Sequence, residues 1–333
     1  MKLKLLGLAV SALMLASCGK KEGDTAATAP AAEEEKVLNV YNWSDYIAPG
    51  TLAKFEKETG IKVTYDVFDS NEVLETKLVT GNTGYDVVVP SLTFLARQIQ
   101  AGVFMPLDKT KIPNLANMDP EIQANIAKLD AGNTHSVNYL WGTTGIGYNV
   151  KKIKEIFGDT APVDSWALVF DPANLAKLKE CGVYMLDTPS EIIPPVLNYL
   201  GEEPNSFDPA VIAKAEARLK ELRPSITQFH SSEYINALAN GDACVAVGWS
   251  GDIFQAATRA EEANNGVEIA YVIPKEGAPM WFDMMAIPKD AKHPNNAHAF
   301  INFILRPEIA AEISNYVAYA SANKAALASI DAE

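Results

Sequence analysis

The chain has 333 residues, 48% of them hydrophobic and 21% charged, with 42 acids against 28 bases and a net charge of −14. This is the composition of a globular protein rather than a disordered or fibrous one, and the length allows two domains. A field this negative repels nucleic acid and favours cationic ligands, although simple solubility charge accounts for many of the same acids.

In chain order, Lys2 and Lys4 make a short basic segment, and residues 5–15 are almost wholly apolar. That run is shorter than the roughly 20 apolar residues a spanning helix needs and fits the apolar region of a signal peptide. It closes on Leu15-Ala16-Ser17-Cys18-Gly19, which is similar to a bacterial lipobox. Residues 1–17 are therefore expected to be a signal peptide and Cys18 the lipid attachment point, with an ordinary small-residue cleavage site as the alternative. Cleavage takes Lys2 and Lys4 and no acids, leaving 42 acids against 26 bases, a net of −16. Residues 19–36, rich in Ala, Thr, Pro and Glu without an apolar period, read as a flexible tether. With Cys18 spent on lipid, Cys181 and Cys244 remain. In an oxidising compartment such a pair suggests one disulfide, whereas the apolar run at 244–247 leaves a buried free thiol as the competing reading.

From residue 37 short apolar strands alternate with amphipathic helices, the pattern of an α/β fold. Strands are expected at 37–41, 61–68 and 85–89, and helices at 51–59 (stopped by Gly60), 69–80 (opened by an Asp69/Glu72 capping box) and 94–101. This rhythm implies a largely parallel sheet with its ligand crevice at the carboxyl ends of the strands. A second block, from about 141 to 252, holds strands at 182–186 and 243–248 and helices at 191–200 and 232–239. A strand at 280–287 and helices from 296 onward close the chain. No internal repeat is visible, and two lobes with a cleft between them is the natural architecture.

One arrangement recurs at strand ends: an aromatic beside a carboxylate. It appears in Tyr41-Asn42-Trp43-Ser44-Asp45-Tyr46, in Gly248-Trp249-Ser250-Gly251-Asp252 and in Trp281-Phe282-Asp283. An aromatic face attracts an organic cation, and a carboxylate accepts charge-assisted hydrogen bonds from ammonium protons. Any single couplet is weak, since a strand-end Trp more often packs in a core. Three at separate strand ends are more specific.

The ordered segments Val40-Tyr-Asn-Trp-Ser-Asp-Tyr-Ile47, Phe68-Asp-Ser-Asn-Glu72, Asp86-Val-Val-Val-Pro-Ser91, Thr143-Thr-Gly-Ile-Gly-Tyr-Asn149, Phe229-His-Ser-Ser232 and Ala239-Asn-Gly-Asp242 resemble the periplasmic polyamine-binding proteins of ABC uptake systems, over nearly all of residues 37–326. The resemblance implies a type II periplasmic binding protein fold, two α/β lobes that close on ligand about a hinge. Lobe 1 is expected to comprise 37–139 and 258–306, and lobe 2 to comprise 140–257 and 307–333. Carried over by motif, the ligand-binding residues are Trp43, Ser44, Asp45 and Tyr46 at the first strand end, Ser91 in the Pro-Ser turn, and Glu191 after Leu186-Asp187-Thr188-Pro189. Trp249 and Asp252 follow from the Gly-Trp-x-Gly-Asp turn, Trp281 and Asp283 from the late aromatic-Phe-Asp turn, and Tyr319 from Tyr319-Ala-Ser-Ala-Asn-Lys324. Trp43, Trp249, Trp281 and Tyr319 would wall a slot around a four-carbon chain. Asp283, Asp252 and Glu191, with Ser44 and Ser91, would receive ammonium protons.

What the resemblance implies is a polyamine receptor, with putrescine first and spermidine, cadaverine or agmatine as further ligands. The expected partner is an ABC permease in the inner membrane, served by a monomer with no cofactor and no nucleic acid. Two departures stand out. The sequence ends at Glu333, soon after Tyr319, where family members continue with a segment that is commonly basic. Pro194-Pro195 is expected to shift Glu191 and hence the ligand length preferred.

Enzyme readings are weaker. His293 and His298 are five apart, off one helical face, and with His135 and His230 complete no metal set. Gly248-Trp-Ser-Gly-Asp252 has Asp252 where a nucleophile elbow closes on Gly. Gly145-Ile-Gly147 lacks the third glycine of a dinucleotide fingerprint. A carboxylate-pair glycoside hydrolase is the strongest enzyme rival, and a sensor-linked polyamine receptor the rival within the same fold.

Overall fold

The computed structural model describes residues 34–331; the expected signal peptide, Cys18 and most of the tether lie outside the described residues. Chain punctuation works as the sequence suggests. The helix Thr51–Thr59 stops at Gly60, which takes a left-handed conformation (φ 72°) and donates its N–H to the Glu56 carbonyl. A side chain at Gly60 would strain this turn. At the next helix the cap differs from expectation. The helix is Asn71–Thr80, and Ser70, not Asp69, accepts from the Val73 N–H. Asp69, one residue outside the cap position, is left free for another use.

Nine strands are present among the described residues: β1 Val37–Trp43, β2 Lys62–Phe68, β3 Val87–Val88, β4 Ser136–Asn149, β5 Val183–Met185, β6 Gln228–Phe229, β7 Val245–Trp249, β8 Ile269–Val272 and β9 Met280–Ala286. Their order is β2-β1-β3-β9-β4-β7-β5-β6, with β8 also paired to β4. Strands β2, β1 and β3 are parallel, and β5 is parallel to both β6 and β7, as the βαβ rhythm requires. Strand β9 enters between β3 and β4 antiparallel to both. The 14-residue β4 is the member both halves share. Its first part, Ser136–Thr143, pairs with β9, and its second, Thr144–Asn149, pairs with β7 and β8.

Two hydrophobic cores follow this division. One gathers Leu38, Phe55, Leu95, Leu140, Met284 and Phe303; the other gathers Ile146, Trp166, Phe170, Val196, Leu238 and Ile253. The lobe boundaries differ from those expected. Ile309, Ile313, Val317 and Tyr319, placed by sequence in lobe 2, pack in the first core. Ile269, Tyr271 and Val272, placed in lobe 1, pack against the second. The reason is that β9, not residue 258, brings the chain back, and the helix Pro307–Val317 turns its apolar face onto the core that β9 has just joined.

Cys181 and Cys244 are joined in a disulfide with Cα atoms 5.6 Å apart, linking positions 63 residues apart inside the second core. Closing a loop of that length removes unfolded-state entropy worth about 4 kcal/mol. Replacing both cysteines by Ala, or reducing the bond, should lower thermal stability by about 2–5 kcal/mol while leaving the far lobe's packing intact. Differential scanning calorimetry in the presence and absence of dithiothreitol checks this, and an unchanged melt would contradict it.

Candidate functional site

The carboxyl ends of β1, β3, β5 and β7 and the middle of β9 converge on one narrow cleft between the cores. All eleven residues that the sequence proposes for ligand contact line it. Aromatics form the walls. Trp43 meets Trp249 edge-on at 5.5 Å across the cleft, and Tyr319 lies edge-on to Tyr46 at 5.0 Å and to Trp281 at 5.4 Å. Trp43 is pinned by its indole N–H, which donates to the Val89 carbonyl at 2.9 Å. The Tyr319 ring lies directly on Gly251, where a Cβ would collide with it. Only glycine at this position lets the wall stand so close to the first turn of the helix Ser250–Ala263.

Each buried acid is held by hydroxyls. Asp283, 3% exposed, accepts from Ser91 Oγ at 2.6 Å and from Tyr46 Oη at 2.9 Å. Ser91 is itself fixed by Asn71, whose amide donates to Ser91 Oγ and accepts from the Ser91 N–H, both at 2.9 Å. Asp252, 6% exposed, accepts from Tyr234 Oη and Tyr319 Oη, each at 2.7 Å. Burial pushes both carboxyls up to about 7, outweighing these hydrogen bonds, which pull the other way. Burial also raises Glu191, opposed by hydrogen bonds from Thr144 and Trp249. The helix Pro189–Tyr199 runs through Pro194 and Pro195, and Glu191 in its first turn still lines the cleft. A cation placed among these acids would lower their pKa values again, because an opposite charge favours the ionised form.

Two of the expected contacts have other work. Asp45 forms an ion pair with Arg259 at 2.9 Å, so its charge is matched within the protein. Ser44 Oγ donates to Asp69 Oδ1 at 2.6 Å, and Ser232 Oγ donates to the same oxygen from the opposite lobe at 2.7 Å. Ser190 Oγ likewise reaches Glu72 at 2.9 Å. The lips of the cleft are thus in contact. Sequence reasoning gave no ligand-site role to Asp69, Asn71, Ser231 or Ser232, all of which line the cleft. The signal was present, since they stand in Phe68–Glu72 and Phe229–Ser232, two segments that carry the family resemblance.

Among the described residues no group of His, Cys, Asp and Glu is arranged to hold a metal ion, and no helix is long and apolar enough to cross a membrane.

Comparison with known proteins agrees with this geometry. The family model for bacterial extracellular solute-binding proteins matches residues 51–333. The putrescine-binding periplasmic protein of Escherichia coli (strain K12) is 56% identical over 330 residues, 99% of this chain and 86% of that one. A solved spermidine/putrescine ABC transporter substrate-binding protein from Streptococcus pneumoniae is 34% identical, with a TM-score of 0.68 over 89% of this chain and 86% of that one. A solved lipoprotein of Treponema pallidum is 30% identical, with a TM-score of 0.74 over 88% of each chain. With a family model spanning most of its length and more than half its residues shared with a relative, the chain belongs to the bacterial extracellular solute-binding proteins, in the group that contains the periplasmic polyamine-binding members.

Proposed function

We propose that this protein is an extracytoplasmic receptor that captures a polyamine, putrescine first, and delivers it to an ABC importer. The observation that carries the reading is the pair of buried acids, Asp252 and Asp283, raised to about 7 inside an aromatic-walled cleft. Trp43, Trp249, Trp281 and Tyr319 supply ring faces to a short alkyl chain and cation–π attraction to its ends. Asp283, Asp252 and Glu191 accept the ammonium protons. Asp45 and Ser44 act on the ligand indirectly, through the lip contacts with Arg259 and Asp69. The E. coli relative is named for putrescine and the S. pneumoniae structure for spermidine and putrescine in ABC transport, which supports both cargo and partner. On this reading the protein returns its ligand unchanged, works as a monomer in the periplasm and needs no cofactor.

Calorimetry of the mature protein with putrescine, spermidine, cadaverine, agmatine and a panel of amino acids tests the proposal. Tightest binding to putrescine is expected, and no binding to any polyamine would overturn it.

The same reading includes export on residues 1–17 and lipidation at Cys18, supported by the Leu15–Gly19 motif and by the T. pallidum structure being that of a lipoprotein. A tether of about 18 residues then holds the receptor near its permease and raises its local concentration there. Cells fed labelled palmitate should label the wild type and not Cys18→Ser, with the variant shifting from the membrane to the soluble fraction. Equal labelling would exclude the anchor.

A further inference from the structure

Glu191, like Asp252 with Tyr234, is a cleft acid whose ionised form is supported by a fully buried hydroxyl. Thr144, 0% exposed at the point where β4 changes partners, donates its Oγ1 proton to Glu191 Oε2 at 2.5 Å. The same oxygen receives the indole N–H of Trp281 at 3.2 Å. With Glu191 ionised the direction follows: an indole nitrogen only donates and a carboxylate only accepts, so Thr144 accepts from Trp281 and donates its own proton to Glu191. Trp249 stands directly opposite Thr144 in the β4–β7 ladder and beside the same acid. Two aromatic walls and one acid are thereby tied together through a threonine that itself does not line the cleft.

We infer that Thr144 is a positioning residue for polyamine capture: its donated hydrogen bond holds the Glu191 carboxylate ionised and aimed into the cleft, and its lone pair sets the Trp281 ring in register with it. The inference rests on the function proposed above and deepens it. A hydrogen bond that is stronger to the charged form lowers an acid's pKa, and Glu191 needs that help. The titratable groups that face it are Glu72 from the helix Asn71–Thr80, Asp283 from β9 and Tyr271 from β8. None of them brings a positive charge. Without the Thr144 proton, burial and the Glu72 charge would push Glu191 further toward the neutral acid, which would no longer attract an ammonium group. The indole N–H of Trp281 would lose its acceptor at the same time.

Thr144→Val keeps the shape and removes the hydroxyl, while Thr144→Ser keeps the hydroxyl and removes a methyl. In ligand-free protein labelled with ¹³C at the glutamate carboxyls, and assigned with Glu191→Gln, the Glu191 titration should move to higher pH in Thr144→Val and stay near wild type in Thr144→Ser. With putrescine as probe, the ratio of Thr144→Val to wild-type Kd should be larger at pH 6 than at pH 9, by up to about tenfold for each unit by which the variant's Glu191 midpoint rises. A merely structural role would weaken binding by the same factor at every pH and would leave the Glu191 titration in place. Identical Glu191 titrations in wild type and Thr144→Val would overturn the inference. If wild type binds no polyamine, the functional reading falls while the carboxyl titration still decides the role of Thr144. Should Thr144→Val not fold, Trp281→Phe, which keeps a ring and deletes the N–H, is read by the same titration: freed of its donor, the Thr144 oxygen is expected to hold Glu191 less firmly and raise its midpoint, and no change would count against the coupled unit.

Discussion

Putrescine affinity should fall by between about 100-fold and about 10⁴-fold when the pH is lowered from 8 to 5. Asp252 and Asp283 titrate at about 7 in the folded protein, against about 4 for a free aspartate. A bound dication needs them ionised. Below pH 7 each acid must first give up a proton, which costs a factor of ten per pH unit, so pH 5 costs about 100-fold for one carboxyl and about 10⁴-fold for both. Stability without ligand runs the opposite way. A carboxyl whose folded pKa is raised takes up protons that the unfolded chain has already released, so between about pH 4 and 7 stability declines as pH rises, and it levels off above 7. Calorimetry at pH 5, 6.5 and 8, repeated in buffers of different ionisation enthalpy, reads both the affinity and the protons released per ligand. A flat affinity profile with no proton release would show that neither acid changes state on binding.

The second large effect is a change of opposite sign in two measurements on one variant. Asp283→Asn removes a charge that is 3% exposed and has no cationic partner, while its side-chain oxygen still accepts from Ser91 or Tyr46. Above pH 7 the ligand-free protein should therefore melt at a higher temperature than wild type, because an uncompensated buried charge is gone. Putrescine binding should weaken by about 2–5 kcal/mol, roughly 30-fold to several thousandfold, since an ammonium group would be left buried without its carboxylate. Thermal melting at pH 8 and calorimetry on the same preparation check both halves. Lower stability together with unchanged affinity would mean that Asp283 holds the fold and not the ligand.

The parts of this molecule that were readable from sequence are those where local chemistry agrees with the final packing. Helix Thr51–Thr59 with its stop at Gly60, and the ends of β1 and β7 where a Trp precedes an Asp, needed no tertiary information, whereas the Trp281–Asp283 couplet, expected at a strand end, lies inside β9. Strand β4 was unreadable for a physical reason. Nearly every one of its side chains is buried, so no alternation marks it, and Gly142, Gly145 and Gly147 lower its intrinsic strand preference. Those glycines are there because Trp281, Tyr271 and Ile253 pack against their Cα atoms, which local pattern does not reveal. The Asp69 assignment failed differently. Ser70 and Asp69 are both good capping residues, and the choice went to Ser70 because Asp69 is drawn to Ser44 and Ser232 across the lips. The placement of residues 307–333 depended on which lobe β9 rejoins, a decision made by strand pairing far along the chain.

Strand β4 passes from one core to the other with β9 paired along its first part, and a register shift falls between Asn138 and Trp141, where Asn138 ties the Leu140 and Asp283 carbonyls together. Two hydrogen-bonded strands make a ribbon, and a ribbon is stiff within its own plane but compliant across it. The molecule is thus built like a bound book with a narrow spine. Its halves can part by flexing that spine far more easily than they can slide or swivel past each other.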